Sequence, residues 1–544
     1  MRDYHDLREH ISELEKNALL VRVTREINKD TELHPLVRWQ YRGGIPEEER
    51  KGFVFENVTD IKGRKYPGHS VAVGVHAASK YVYAVGLGCK PDEIHAKWDS
   101  ALSNPREPVI VSEGPVHEAI YWGEELEKEG GGLDMFPIPI STPGFDTGPY
   151  TTCSCWVSKD PDTGIQNVGN YRGQVKARNR LGVFLGGAGQ DFLVHWRKCR
   201  EKGVPLEAAL VVGAPPAVAY AASSKIPRGV DEIAVAGGLV GEPIQVVKCR
   251  TVNIEVPAEA EIVFEGTVPT DIVELEGPFG ESHGHMNPRQ IAPFFDVKAI
   301  THRTNPVWSS WISQVTPSES SCIKRDAYEA LFHRYLRQEI RIGSVTKVVM
   351  HEPLTNLRKV IVLQFKDPGP DDAWRALQAV ISRDPGVGKI AIAVDEDIDP
   401  YNWDAIMWAM SYRMDPQHDV EILRYRRVGH GPPFRKIPAP IGADPTPHDS
   451  AMLINALLKE PFPPVSLPKK EFMEKAKQIW EELGLPKLKP ESPWYGYSLG
   501  QWTAENEEEA ELALRGEHYR TGEKLAAARM KIEEAEDAML GARG

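Results

Sequence analysis

The stretch ELEGPFGESHGHM, residues 274–286, sets Glu276 and Glu281 on either side of Gly277-Pro278-Phe279-Gly280, with His283 and His285 just beyond. Proline at the second and glycine at the fourth position suit a compact reversal, which would bring the flanking side chains near each other. Taken alone, such a segment also reads as a solvated turn carrying ordinary surface carboxylates. The chemical reading is a pair built for proton transfer. Two carboxylates close together in a dry pocket cannot both ionise cheaply, so one moves toward its neutral form and can give up a proton at neutral pH. His283 and His285 suit a substrate pocket or a packed or surface role equally well.

The elements that must position these residues follow from periodicity. Asp6 with Glu9 three residues on predicts a capped first helix carrying Leu7, Ile11 and Leu14 at helical spacing, followed by a strand in ALLVRVTREI. Between about 110 and 310 the pattern shifts to strands. VNIEV, EIVFEGTV and FFDVKAITHR read as strands of a largely antiparallel sheet or small barrel. AALVVGAPPAVAYAASS reads as strand, loop and helix start. CIKRDAYEALFHRYLRQEI (322–340) predicts a connecting helix. VTKVVM, KVIVLQF and KIAIAVDEDID are strands around the helix DDAWRALQAVIS, which implies an α/β layer to about residue 430. GPPFRKIPAPIGADPTP (431–447) reads as a Pro-rich linker, and the charged, Ala-rich C-terminal segment as a solvated helical arm.

Bulk properties bound the function. The chain has 544 residues, enough for two to four domains, and 46 Gly and 43 Pro favour strands and loops over a helical bundle. A net charge of −13 argues against general binding to nucleic acid or anionic membranes, so an anionic ligand needs a local cation cluster or a metal. The six cysteines (89, 153, 155, 199, 249 and 322) form no CxxC pair, so neither a zinc ribbon nor a disulfide framework is expected. The opening MRDYHDLREH lacks the apolar core of a signal peptide, and no stretch reads as a membrane span; a soluble, cytoplasmic protein is expected.

NVGNYRGQV, SSKIPRGVDEIAVAGGLVGEPIQVVKC, ELEGPFGESHGHM and GKIAIAVDEDIDPYNWDAIMWAMSYRMDPQHD follow one another as in the UbiD-like decarboxylases, which the chain resembles from about residue 5 to 450. The resemblance implies an α/β (α+β) chain: an N-terminal α/β region (1–110), a split β-barrel that binds prenylated FMN (111–320), a linking helix (321–340) and a C-terminal α/β oligomerisation domain (341–460). The helical extension, 461–544, has no counterpart in it. The implied activity is reversible, non-oxidative decarboxylation of an aromatic or α,β-unsaturated acid, with aryl-CoA thioesters among the candidate substrates. The implied partners are a flavin prenyltransferase that supplies the cofactor and further copies of the chain, as dimer or hexamer. Carboxylation in the reverse direction and a non-catalytic flavin-binding or assembly role are the alternatives.

The resemblance also distributes roles. Arg172, Glu276 and Glu281 match the catalytic Arg and two Glu, with Glu281 as proton donor. Asn167 and Glu232 match ligands of a divalent metal that bridges to the flavin phosphate, with K⁺ or a similar monovalent cation nearby. Oxygen-rich ligands suit Mn²⁺ or Mg²⁺, with Fe²⁺ as an alternative. Ser223 and Ser224 fall in the phosphate-side loop, and Lys389 matches a cationic flavin contact, against the plainer reading of a surface lysine. Many members carry Gln-His where this chain has Gln190-Asp191. Asp191 is therefore the replacement third ligand if one residue is inserted, and Gln190 the ligand in the rival alignment. His195 is expected to lie too far along the following helix to serve.

Overall fold

The computed structural model describes residues 4–185, 190–224, 226, 229–355, 359–384, 387–427, 447–529 and 532. The chain forms two compact units, one of residues 1–393 with 416–455, the other of residues 394–415 with 456–544.

In the first unit the helix Leu7–Lys16 begins at the expected capping box: the Asp6 side chain accepts from the Glu9 amide, and the Glu9 carboxylate accepts from the Asp6 amide. Its apolar residues Leu7, Ile11 and Leu14 are buried against a four-stranded sheet of Leu20–Val23, Gly52–Phe55, Ser70–Val73 and Val307–Ser310. The last strand comes from far downstream and pairs in parallel with Ser70–Val73.

The centre is a nine-stranded sheet. Its main path runs through Gln166–Asn170, Cys155–Lys159, Leu206–Val212, Ile262–Val268, Phe294–His302, Arg180–Val183, Gly173–Ala177 and Tyr150–Thr151, and every pairing along it is antiparallel. The strands Gln166–Asn170 and Gly173–Ala177 have five strands between them in this order, yet only Tyr171 and Arg172 separate them in sequence. In a flat sheet they would stand roughly 29 Å apart at about 4.8 Å per strand. The connection reaches about 10 Å at most. The sheet must therefore curl until its edges meet, and Arg172 sits at the seam. The interior is filled by Trp156, Phe264, Phe295 and Leu210, all buried.

The expected strand in VNIEV is corrected by the structure. Only Glu255–Pro257 pairs there, and the preceding residues make the reversal of a hairpin with Gln245–Lys248, closed by the Cys249 amide on the Ile254 carbonyl. Val252 and Ile254 are buried from within that loop, which produces the apolar alternation without a strand.

The linking helix runs from Glu319 to Arg334 and continues as a π-helical turn through Glu339. Beyond it lies a five-stranded sheet, ordered Val345–Met350, Val360–Phe365, Ile390–Asp395, Pro447–Asn455 and Val420–Arg427, with the helix Asp372–Arg383 packed on it. Pro447–Asn455 was not among the expected strands, and it inserts between two that were. The Pro-rich linker before it lies outside the described residues. In the second unit the C-terminal arm is helical at Lys470–Glu482, Ala504–Leu514 and His518–Ala527, the first and last without a single buried residue. Among the described residues no helix is long and apolar enough to cross a membrane.

The start of the linking helix is tied to the N-terminal sheet by one side chain. Glu319 is fully buried and accepts from the Gly74 and His76 amides at 2.8 and 2.9 Å. Glu319→Ala strands both donors, and the expected loss is about 2–4 kcal/mol. Thermal or urea unfolding measures it; a loss below about 1 kcal/mol would mean that the helix is anchored by other contacts.

Candidate active site

Arg172 leaves the sheet seam and points its guanidinium at both glutamates. Nε and Nη2 donate to Glu276 Oε1 and Oε2 at 2.8 and 2.7 Å, a two-pronged ion pair, while Nη1 donates to Glu281 Oε1. The Phe184 ring lies 3.8 Å from the guanidinium carbon, with Phe279 at 5.0 Å. Burial works against the arginine's charge, but the two carboxylates outweigh it and its pKa is raised. The glutamates differ in surroundings. The Glu276 side chain is wholly buried, whereas that of Glu281 keeps 16% of its surface open. Arg172 thus grips both oxygens of Glu276 but only one oxygen of Glu281.

The turn between them differs from expectation. Glu274–Glu276 pairs with Gln290–Ala292, and Phe279–Gly280 pairs with Met286–Asn287. Gly277-Pro278 is therefore a bend within one arm of a hairpin, and the reversal occurs at residues 281–285, closed by the Glu281 amide on the His285 carbonyl. Gly277 has φ +97°, a conformation that disfavours side chains, and its amide donates to Gln174 Oε1. The bend still does what the spacing suggested, since it lets two residues five apart reach one guanidinium. His283 and His285 stand at the hairpin tip, next to Glu281, with ring centroids 5.9 Å apart and His285 exposed.

A second group gathers on the strand leading into Arg172. A pocket of about 230 Å³ is lined by Asn167, Asp191, His195, Lys198 and Glu232, among others. Asp191 and Glu232 are each the first residue of a helix, Asp191–Glu201 and Glu232–Val240, so two helix N-termini with outward-facing amides meet at the pocket. Glu232 accepts from the Val168 amide at 2.9 Å; burial pushes its pKa up to about 8, and the charges of Asp231 and Asp191 push the same way. The Asn167 amide nitrogen is buried without a hydrogen-bond partner. An oxygen-rich site short of positive charge is what these residues make.

Gln190 caps the same helix from just outside and is not among the residues lining the pocket. His195 does line it. Asp191 and His195 are four apart on one helix and share a face of it. Its Nδ1 is 2.9 Å from Ser158 Oγ. Ser223 and Ser224 close the helix Pro216–Ser223, and their hydroxyls donate back to the Ala219 and Tyr220 carbonyls. Lys389 directly precedes the strand Ile390–Asp395, half exposed and ion-paired with Asp449, and is not brought to either group by the bonds it makes. Phe184 and Gln174, which carry no spacing signal, join the site through the curl of the sheet, and Phe279 comes with the hairpin itself.

The family profile described as the 3-octaprenyl-4-hydroxybenzoate carboxy-lyase Rift-related domain matches residues 109–315, and its C-terminal domain counterpart matches residues 325–430. The chain belongs to the UbiD-like decarboxylases. A protein of Archaeoglobus fulgidus is 30% identical over 442 residues, 77% of this chain and 86% of that one. A phenolic acid decarboxylase of Bacillus subtilis is 27% identical over 83% of this chain and 92% of its own. The UbiD-class enzyme HmfF from Pelotomaculum thermopropionicum, solved in complex with FMN, superposes with a TM-score of 0.74 at 29% identity, covering 87% of this chain and all of the other. Vanillic acid decarboxylase of Sedimentibacter hydroxybenzoicus in its closed form gives 0.74 at 26% identity over 89% of this chain. The chain is accordingly a carboxy-lyase of the UbiD type.

The UbiD hairpin leaves no space at Gly280. A Cβ there would lie 2.7 Å from Gln314 Cγ and 2.8 Å from Thr142 Oγ1, both buried or nearly so. Gly280→Ala is expected to fold but to displace Glu281, with a loss of turnover on the order of 10²-fold, as a displacement of about 1 Å brings. Turnover within about threefold of the parent would show that the hairpin yields without cost to the reaction.

Proposed function

We propose that the protein decarboxylates an aromatic or α,β-unsaturated carboxylic acid, reversibly, with prenylated FMN as cofactor and Glu281 as proton donor. The observation that carries this is the asymmetric ion pairing at Arg172. Loss of CO₂ from an sp² carbon leaves an electron pair with no sink in the substrate, and the prenylated flavin supplies that sink when bound. The protein's own part is orientation, exclusion of water and delivery of a proton. Arg172 is fixed by Glu276 on one edge and by Phe184 on one face, so it holds the Glu281 carboxyl at a set position. Glu281, the partly open member, is the one that can meet a substrate carbon, give it a proton and recover one from solvent.

The residues of the neighbouring pocket fit a metal-bridged phosphate. Asn167, Asp191 and Glu232 offer oxygen ligands, a divalent cation would supply the charge that buried Glu232 lacks, and the two helix N-termini suit the phosphate itself. Mn²⁺ or Mg²⁺ matches such hard donors, with a monovalent cation beside it. Of the rivals for third ligand, the pocket favours Asp191 over Gln190. In this reading residues 111–320 hold the flavin, Ser223, Ser224 and Lys389 approach it from the periphery, and residues 341–460 serve assembly into a homo-oligomer. A flavin prenyltransferase supplies the cofactor. Aryl-CoA thioesters stay within the substrate class.

Protein co-expressed with a flavin prenyltransferase and purified without oxygen is expected to carry prenylated FMN by mass spectrometry and to release CO₂ from an aromatic acid. Plain FMN alone, or no flavin, would overturn the reading. Glu281→Gln keeps the shape but cannot deliver a proton. It should retain flavin while turnover falls on the order of 10²-fold or more, and unchanged H/D exchange at the substrate carbon would remove Glu281 from the mechanism.

Asp191→Ala should lower metal and flavin content together while Gln190→Ala leaves both near the parent values, as read by metal analysis and absorbance. The opposite pattern would make Gln190 the ligand.

A further inference from the structure

Arg38, on the helix Leu33–Arg42, is partly buried and makes no ion pair among the described residues. Its two hydrogen bonds go to neutral oxygens, Gln314 O at 3.0 Å and Gln314 Oε1. Burial lowers its pKa, and Asp146 lies within electrostatic range without bonding to it. Burial pushes the Asp146 carboxyl up to about 6. A guanidinium left this way is costly unless an anion arrives.

Its surroundings are equally incomplete. Gln314 Nε2, Thr142 Oγ1 and Ser141 Oγ are buried with no hydrogen-bond partner, and Gln314 and Ser141 are only 3% and 2% exposed. Gln314 and Thr142 are the two side chains that flank Gly280, so the unpaired donors and the cation converge beside the hairpin that carries Glu281. The next residue, Val315, has φ +33°, a strained value for a β-branched side chain, and its amide approaches the Glu281 carbonyl at 3.4 Å. Unpaired buried polar atoms and a strained backbone cluster where a ligand completes the bonding.

We propose that Arg38, Gln314 and Thr142 form a recognition site for a second anionic group on the acid substrate, a further carboxylate or an ionised ring hydroxyl, beside Glu281. This rests on the decarboxylase reading above for what the bound acid then undergoes. Arg38 supplies the charge, Gln314 Nε2 an N–H donor and Thr142 an O–H donor, so a dianionic ring is bound in preference to a monoanionic one.

The test uses the flavin-loaded protein and three probes, benzoate, benzene-1,3-dicarboxylate and benzene-1,4-dicarboxylate, with affinities from calorimetry. The parent protein is expected to bind one dicarboxylate at least about tenfold more tightly than benzoate, as charge-assisted hydrogen bonds allow. Arg38→Gln should bring that preference within about threefold while leaving benzoate affinity unchanged, and Arg38→Lys should keep part of it. Thr142→Val, which removes an unpaired hydroxyl without changing shape, should weaken dicarboxylate binding alone. It decides the matter if Arg38→Gln fails to fold. No preference in the parent, no binding of any probe, or a preference that survives in the variants overturns the proposal. If the preference behaves as expected but no aromatic acid loses CO₂, the site stands and the reaction assigned above falls.

Discussion

Everything at the candidate active site depends on a connection two residues long. Tyr171 and Arg172 join strands that would otherwise stand far apart, so they force the sheet to curl and put a permanent cation at the closure. A buried guanidinium without partners costs several kcal/mol, and Glu276 offsets that cost through its paired hydrogen bonds. The same guanidinium then offers its Nη1 to Glu281. The residue at the sheet's closure is thus also the one that holds both carboxylates.

The pocket beside Asn167 gathers carboxylates and helix starts in one place. Backbone amides at two helix starts supply positive potential there, and the carboxylates of Asp191 and Glu232 stand beside them. Asn167 lies on the strand that leads into Arg172, so the pocket and the Arg172–glutamate cluster are held in register by one short stretch of chain.

What could be read from the sequence was what depends on local pattern. The capped first helix, the strands EIVFEGTV, FFDVKAITHR, VTKVVM and KVIVLQF, and the linking helix all follow from spacing and capping chemistry. The pairing of Glu276 and Glu281 was legible because both flank one bend, though the bend proved not to be the reversal. Elements set by long-range partners were not legible. Pro447–Asn455 is a strand because two other strands receive it, VNIEV is mostly loop because the hairpin before it turns early, and Phe184 meets Arg172 only after the sheet has closed.

The sheet that begins the protein is finished by Val307–Ser310, more than two hundred residues after the strand it pairs with. A ribosome adds about 5–20 residues per second, so Ser70–Val73 waits on the order of ten seconds or more with one side unmatched. For that interval the nascent chain carries an open sheet edge, a template for pairing with other chains. A fragment cut near residue 110 would keep that edge uncovered for good, because it lacks the strand that closes it.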